Sequence, residues 1–424
     1  MASVIAPRET STPTGHAGPA ELLRLKSEYL IPCVYHFYRK PPQIVAAAGS
    51  HLIDHEGRRY LDCYTGVTVM SAGHGNRAII EPAIEQIRRL QHTTTIYLTE
   101  PVLRLAEKLA AITPGALKRS FFCASGSEAT EGAMLLAMLH TGRPEIAACA
   151  NGLHGRTRWA MNATGLDLWR TDPFPVPGVH HVPFGDVDAL RRLFERRGEG
   201  IAALIAEPIQ GNGGINVPDD DYWPAVRRFC TQYGVLLILD EIQTGFNRTG
   251  RWFACEHWGI TPDIMAVSKA LGNGFPIAAF ITTDEIAASY RRPGASTSGG
   301  NPVSAAAALA TIAFHEKHDL ARQADRCGSR IMTGLRDLAC RCPSLFGPPR
   351  GRGLMLGLPV LNDDLTPSAA RCDEMLEDLK DLGVLAGKTG PDRNILTLLP
   401  PLTISQEETG ELLHALERMA ETIG

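Results

Sequence analysis

The chain has 424 residues, with 42 Lys and Arg against 46 Asp and Glu, and therefore a formal net charge of −4. Hydrophobic residues make up 44% of the chain and charged residues 21%, which is typical of globular proteins and excludes a disordered chain. The chain has no excess of basic residues that would indicate a nucleic-acid partner. No apolar run approaches the roughly 20 residues that span a bilayer. The length predicts two domains, or one large domain with a smaller one.

The N-terminus contains no basic region followed by an apolar one. We therefore expect residues 1–20 to form a mobile polar arm and not a secretory signal. The ten cysteines are scattered along the chain, without the spacing of a zinc site or of a small disulfide scaffold. These features predict reduced thiols, a cytoplasmic location and no bound metal.

The middle of the chain alternates short apolar runs, which predict strands, with longer segments of helical period. The runs are 119–123, 201–206, 235–239, 264–267 and 277–281, and the helical segments are 129–138, 222–232 and 302–318. Strands that are apolar on both faces and alternate with helices predict a parallel sheet covered on both sides. We expect residues 66–320 to form a large α/β domain with a doubly wound, mostly parallel sheet.

Both ends of the chain show a different pattern. Residues 42–62 alternate strand-like pieces with turns, and the tail contains the runs 354–358 and 395–398 and a final helix at 406–422. We expect residues 21–65 and 321–424 to fold together as a small α+β domain against the large one.

Ser125, Gly126 and Ser127 lie between a predicted strand and a predicted helix. Backbone N–H groups and a hydroxyl would meet there at a helix N-terminus, which favours an anion. A plain N-cap with a glycine turn has the same sequence pattern, so spacing alone does not separate the two interpretations.

Asp240 directly follows a run of apolar residues, and Lys269 ends the next such run. Ligands of open parallel sheets bind beyond the carboxyl ends of the strands, which makes both residues candidates. A buried carboxylate needs a cation or several donors, so Asp240 suits either a protonated pyridine nitrogen or an arginine. Apolar neighbours lower the pKa of a lysine and suit it to Schiff-base chemistry, although most single lysines lie at the surface.

The order and context of these residues are more specific than any one of them. The stretches from Asp240 to Gly250 and from Ser268 to Gly274 closely resemble the signature of class III pyridoxal-phosphate aminotransferases, which have the fold type I architecture. The same resemblance extends, in chain order, through Gly126–Ala129, His154–Thr157, Glu207–Gly211, Gly299–Pro302, Arg350–Met355 and Leu399–Leu402. The branch that the chain resembles contains alanine–glyoxylate and 4-aminobutyrate aminotransferases, and also lyases acting on aminoalkyl phosphates and phosphonates.

The resemblance implies that pyridoxal 5'-phosphate is the cofactor. Lys269 would bind it as an internal aldimine and then act as the acid and base that moves the proton. Asp240 would keep the ring nitrogen protonated, and Gln243 would hydrogen-bond the ring hydroxyl.

The resemblance also assigns the surroundings of the cofactor. Gly126 and Ser127 would hold the phosphate, and Glu207 would belong to the polar floor near cofactor and substrate. Thr297 would reach the phosphate from the partner subunit, which implies a homodimer with shared active sites and leaves a tetramer open.

The chain departs from the family at positions that concern the substrate more than the cofactor. Leu153 replaces the aromatic residue that usually stacks on the pyridine ring, at a cost of about 1 kcal/mol. Thr397 stands where many relatives carry an arginine for the α-carboxylate, and Asn212 replaces the glutamate that gates it. Arg156 matches an arginine that binds substrate anions in some relatives, and a structural ion pair is an equal alternative for it.

These features predict a PLP-dependent aminotransferase that moves an amino group from a primary amine or amino acid to a keto acid. The alternative is a lyase on the same scaffold, which expels ammonia or phosphate from an aminoalkyl phosphonate or phosphate. The loss of both gate residues favours a substrate without an ordinary α-carboxylate, because a threonine cannot supply a bidentate fork.

Overall fold

The computed structural model describes residues 15–423, so most of the expected arm at residues 1–20 lies outside the described range. The first part of the chain contains one helix followed by three strands that form a meander, and these elements are α1 (Pro19–Tyr29), β1 (Ile44–Ala48), β2 (His51–Asp54) and β3 (Arg59–Asp62). Successive strands of this meander pair antiparallel.

Three helical segments lead into the main sheet, and they are α2 (Thr65–Thr68), α3 (Arg77–Arg89) and α4 (Glu100–Ile112). Seven strands form that sheet, and they are β4 (Arg119–Cys123), β5 (Glu145–Cys149), β6 (Val179–Val182), β7 (Ile201–Ala206), β8 (Leu236–Asp240), β9 (Ile264–Val267) and β10 (Ala278–Thr282). Their order across the sheet is β4-β10-β9-β8-β7-β5-β6, and of these seven strands β10 runs in the direction opposite to the other six.

Helices cover both faces of the seven-stranded sheet. They are α5 (Gly126–Thr141), α6 (Arg158–Ala163), α7 (Val187–Arg197), α8 (Tyr222–Tyr233), α9 (Asp284–Ala287) and α10 (Pro302–Lys317), with 3₁₀ turns at Asp167–Trp169, Ala254–Trp258 and Lys269–Leu271. Every residue of β7, β9 and β10 is buried, because one face of each strand packs on α5 and the other on the opposite layer. The expectation of a doubly wound, mostly parallel α/β fold is confirmed.

The C-terminal part continues with three helices and five short strands. They are α11 (Leu320–Arg341), β11 (Arg350–Arg352), β12 (Met355–Pro359), α12 (Ala369–Asp381), β13 (Val384–Leu385), β14 (Gly387–Thr389), β15 (Ile395–Leu398) and α13 (Gln406–Ile423). β13 pairs in parallel with β3, and Leu61 and Cys63 belong to the same apolar cluster as α11, α12 and α13. Both ends of the chain therefore share one sheet and one core.

Arg248 is fully buried and bonds to three distant parts of the chain. Its Nη1 donates to the carbonyls of Leu354 at 3.0 Å and Pro400 at 2.6 Å, and its Nη2 donates to the hydroxyl of Ser71 at 3.1 Å. Burial lowers the pKa of Arg248 to about 9, so the hydrogen bonds have to offset a large loss of hydration.

Within residues 15–423, no helix combines the length and the apolar character that crossing a membrane requires.

The substitution Arg248→Met is expected to lower the free energy of unfolding by about 2 kcal/mol, because it leaves buried acceptors without donors. Urea denaturation followed by tryptophan fluorescence measures the change. The matched control is Arg251→Met, since Arg251 is exposed and pairs with Asp325 at 3.6 Å. Equal urea midpoints for the two variants would contradict the structural role assigned to Arg248.

Candidate active site

A cavity of about 270 Å³ lies at the carboxyl ends of β4, β7, β8 and β9. Eight of the ten site residues expected from the sequence line it, and they are Gly126, Ser127, Leu153, Arg156, Glu207, Asp240, Gln243 and Lys269. Residues separated by more than a hundred positions are brought together because the ends of parallel strands meet at one edge of the sheet.

Asp240 is the last residue of β8 and is buried. Its Oδ2 lies 2.8 Å from Nδ1 of His154, and its Oδ1 accepts a hydrogen bond from the N–H of Ile242 at 3.2 Å. The His154 side chain is completely shielded from solvent, and its Nε2 has no partner among residues 15–423. The structure thus gives Asp240 a histidine partner, and no arginine lies within ion-pair distance of it in that range.

Lys269 follows β9 with a backbone φ of 43°, a left-handed conformation that costs energy for a side chain other than glycine. Its Nζ donates to Oε1 of Gln243 at 3.3 Å. Burial lowers the pKa of Lys269, while the negative charges of Asp240 and Glu207 oppose that change. A strained lysine with a lowered pKa in a cavity is characteristic of a functional residue.

Glu207 is buried directly after β7 and holds two neighbouring loops. Its Oε1 accepts from the N–H of Leu153 at 2.9 Å, and its Oε2 accepts from the N–H of Gly211 at 2.8 Å. Burial raises the pKa of Glu207, with His154 acting against the change and Asp240 adding to it.

The N-terminus of α5 forms the end of the cavity that follows β4. Ser125 caps the helix in a capping box with Glu128, which leaves the N–H groups of Gly126 and Ser127 without acceptors in the described part of the chain. The Ser127 hydroxyl accepts from the N–H of Arg156 at 2.9 Å. A Cβ at Gly126 would lie 2.9 Å from the Ile242 side chain, so only glycine fits here without displacing that residue. The geometry is that of an anion site at a helix N-terminus.

Two expected site residues lie outside this cavity. Thr397 is fully buried in β15, where its hydroxyl lies 2.8 Å from that of Thr389 and 2.9 Å from the carbonyl of Ile395. Thr297 is exposed and lines a second cavity beside Phe121 and Tyr290. The structure therefore does not bring Thr397 to the cavity wall, and it leaves Thr297 accessible from outside.

Arg156 contributes an exposed guanidinium to the lining of the main cavity. No carboxylate pairs with it among residues 15–423, although Arg158 two positions later pairs with Asp172 at 3.5 Å.

Among residues 15–423, no group of three or more His, Cys, Asp and Glu side chains is placed to hold a metal ion.

Sequence reasoning assigned no role to His154 or to Trp169, both of which line the cavity. His154 stands in the His-Gly-Arg-Thr motif, so its position carried a signal, but its pairing with Asp240 depends on how β5 and β8 are arranged. Trp169 ends the short 3₁₀ turn Asp167–Trp169, and the sequence of this turn gives no sign that it reaches the cavity.

Comparison with known proteins identifies the family. The sequence model of the family of class-III aminotransferases matches residues 38–420. The chain belongs to this family. It is 38% identical to alanine–glyoxylate aminotransferase 2 homolog 2, mitochondrial, of Arabidopsis thaliana, over 96% of this chain and 89% of the relative. It is also 38% identical to a putrescine aminotransferase of Pectobacterium atrosepticum, over 87% of this chain and 80% of the relative.

Solved structures agree with this assignment. An ornithine aminotransferase from Toxoplasma gondii, described with PLP at its active site, matches with a TM-score of 0.88 and 28% identity over 96% of this chain and 95% of that one. A phospholyase from Arthrobacter in complex with phosphoethanolamine matches with a TM-score of 0.88 and 31% identity over 95% of this chain and 99% of that one. The expectation of a PLP-dependent enzyme of class III is confirmed.

The residues that line the cavity fit pyridoxal phosphate. The free N–H groups at the start of α5 suit a phosphate, and the Asp240 carboxylate suits a ring cation. Gln243 Nε2 is buried without a partner in the described chain, which leaves a donor for a ring hydroxyl. A Cβ at Gly211 would collide with the Gln243 amide, so this glycine makes room for it.

The substitution Glu207→Gln is expected to lower the pKa of Lys269 further, because it removes one of the two negative charges that raise it. In the apoenzyme, the rate at which trinitrobenzenesulfonate labels Lys269 should reach half its maximum at a lower pH than in the wild type. Peptide mass spectrometry measures labelling, with the exposed Lys317 of the same digest as internal control. A midpoint that stays constant or moves to higher pH would rule out this electrostatic coupling.

Proposed function

We propose that the protein moves an amino group from a primary amine or amino acid to a keto acid, with Lys269 as the reacting side chain. One observation carries this proposal: an amine with a lowered pKa lies in the same cavity as the buried, histidine-paired carboxylate of Asp240. A neutral amine is the form that attacks a carbonyl and accepts a proton. Lys269 Nζ would bind the cofactor covalently and, once released by the substrate, carry the proton.

Pyridoxal phosphate, when bound, supplies the electron sink that stabilises negative charge on the carbon next to the substrate nitrogen. Asp240 would hold the proton on the ring nitrogen, and His154 would keep that carboxylate oriented. Gln243 Nε2 would donate to the ring hydroxyl. The N–H groups of Gly126 and Ser127 would bind the phosphate at the start of α5.

We further infer a homodimer in which Thr297 of the partner subunit completes the phosphate site. Thr297 is exposed, and the loop that carries it is joined to the segment after α3 by a bond from Asn301 to the Gln91 carbonyl at 3.1 Å. That segment continues into Ile96, Tyr97 and Leu98, whose exposed fractions are 82%, 66% and 88%. Consecutive exposed apolar side chains of this kind are typical of an interface.

The amino donor would be an amine that lacks an ordinary α-carboxylate. Thr397 and Asn212 replace the arginine and glutamate that the family resemblance leads one to expect, and Thr397 is buried with its hydroxyl already bonded. Arg156 offers an exposed guanidinium at the cavity, where an anionic group elsewhere on the donor would bind.

A second candidate function is elimination of ammonia or phosphate from an aminoalkyl phosphonate or phosphate. The missing gate arginine and the unpaired guanidinium of Arg156 favour it, since such substrates carry an anion and no α-carboxylate. The phospholyase from Arthrobacter that resembles this chain lends it support.

A cytoplasmic location remains part of the proposal, and the Arabidopsis relative is named as mitochondrial.

A panel of amines given to the holoenzyme without any keto acid separates the two functions. Transamination predicts one stoichiometric conversion to the aminated cofactor, measured by absorbance, whereas elimination predicts continuous release of ammonia or phosphate. The substitution Lys269→Ala is expected to abolish both signals, and Lys317→Ala, which alters an exposed lysine on α10, should change neither. Full activity of Lys269→Ala would refute the proposed function.

The substitution Arg156→Met is expected to raise the KM for donors with a phosphonate or carboxylate about tenfold, because a charge-assisted hydrogen bond contributes about 1.5–3 kcal/mol. The KM for uncharged amines and the kcat for all donors should stay close to the wild-type values. Steady-state kinetics with matched charged and uncharged donors tests this. Arg158→Met serves as control, since that exposed arginine lies outside the cavity lining. Equal effects on both donor types would remove Arg156 from anion binding.

A further inference from the structure

Four aromatic side chains from three parts of the chain contact one another in a row that ends at the cavity. We call Tyr35, Phe37, Tyr64 and Trp169 the aromatic wall. The rings of Trp169 and Tyr35 have their centroids 6.0 Å apart, those of Tyr35 and Phe37 lie 5.7 Å apart, and those of Phe37 and Tyr64 lie 5.6 Å apart. Trp169 is the member of the wall that lines the cavity with Lys269.

Arg393 fixes the centre of this wall. Its guanidinium carbon lies 5.4 Å from the ring centroids of both Tyr35 and Phe37, and its Nη1 donates to the Tyr35 hydroxyl at 3.3 Å. A planar guanidinium stacks well on aromatic faces. Arg393 adopts a φ of 57° in the turn before β15, so the backbone bears a strained conformation at this position.

The other end of the wall contacts the C-terminal part of the chain. Tyr64 follows β3, and a Cβ at Gly387 in β14 would collide with its ring, so ring and strand are in close contact. Movement of Trp169 away from the cavity would therefore break its ring contact with Tyr35, whose hydroxyl is bonded by Arg393. A cavity wall that is supported in this way limits the size of what enters.

We propose that Trp169 is a specificity-determining residue that restricts the donor to short amines, and that Tyr35 and Arg393 are positioning residues acting through it. The inference rests on the proposed function, and it adds the size class of the substrate. The part of the cavity that this chain contributes is about 270 Å³, and the indole of Trp169 lines it together with Lys269 and Arg156. The indole therefore takes up space beside the groups that we propose to react with the amine and to bind its anionic group.

The test compares chain-length profiles. Straight-chain primary amines of increasing length are given to the holoenzyme without a keto acid, and the second-order rate constant for the single conversion to the aminated cofactor is measured for each. In the wild type, this rate constant should fall steeply with length. In Trp169→Ala, the value for the longer amines should rise about tenfold or more relative to the shortest one, because each buried methylene contributes about that factor.

Two further variants separate positioning from packing. Tyr35→Phe keeps the ring and loses the bond to Arg393, and Arg393→Met removes the stacked cation, so both should broaden the profile less than Trp169→Ala does. Most of each change should lie in the amine concentration that gives half the maximal rate, and little in the maximal rate itself, since none of these residues is proposed to transfer the proton of the reaction. The matched control is Phe174→Ala, an exposed aromatic of the same loop with an exposed fraction of 75% and no place in the cavity lining.

A second readout needs no reaction. Alkylphosphonic acids of the same lengths, which carry no amino group, are titrated calorimetrically into each protein, and Trp169→Ala should gain affinity selectively for the longer ones. Equal length profiles of Trp169→Ala and the wild type in both experiments would overturn the inference and leave the aminotransferase proposal intact. A wild type that converts no amine contradicts the proposed function, and the calorimetric profiles then decide the size limit alone.

Discussion

The buried carboxylate of Asp240 is the constraint on which the cavity depends. It lies at the end of β8 in the middle of the sheet, where an unpaired charge would be strongly unfavourable, and its Oδ2 bonds to Nδ1 of His154 at 2.8 Å. His154 lies in the loop after β5, and Glu207 at the end of β7 binds the N–H of the adjacent Leu153. Three strand ends are thus held together by two buried acids and one imidazole. Burial lowers the pKa of Lys269, and the negative charges of the same two acids oppose that change. Asp240 and Glu207 therefore both hold the loops of the site and influence the charge of its lysine.

The loop that follows Lys269 is held by contacts that extend, through the segment Ser71–Gly73, to the C-terminal part of the chain. Asn273 accepts from the N–H of Ala72 at 2.8 Å and donates to the Gly73 carbonyl at 3.1 Å. The neighbouring Ser71 hydroxyl receives a hydrogen bond from Arg248, whose other nitrogen binds the carbonyls of Leu354 and Pro400. The segment around Ser71 is therefore bonded to the lysine loop on one side and to the C-terminal part on the other. Strain at Lys269 persists because these contacts fix the backbone on both sides of the cavity.

The strands that carry the site were predictable because their chemistry is local. Buried runs such as 201–206 and 264–267 have bounds in the structure that match the sequence pattern, and the polar residue after each run reaches the cavity. The sequence does not predict strands β5 and β6, since β5 is rich in alanine, which is depleted in strands, and two histidines interrupt the apolar pattern of β6. His154 stands in a motif whose sequence does not indicate its role. Only the position of β5 between β6 and β7 in the sheet brings it to Asp240. Trp169 depends on contacts with residues more than a hundred positions away, which no local pattern encodes.

The two halves of the cavity are built by different means, and this bears on how one family supports several reactions. Groups suited to the cofactor lie at strand ends and at the start of α5, where sheet geometry fixes them. The groups that we propose to face the substrate, such as Arg156, Asn212 and Trp169, line the cavity from segments outside the strands of the sheet. Thr397, at the position where the family resemblance leads one to expect an arginine, is buried against Thr389 and lies outside the lining that contains Asp240 and Lys269. Substitutions in these loops are therefore expected to change which amine binds, while the residues proposed for proton transfer keep their positions.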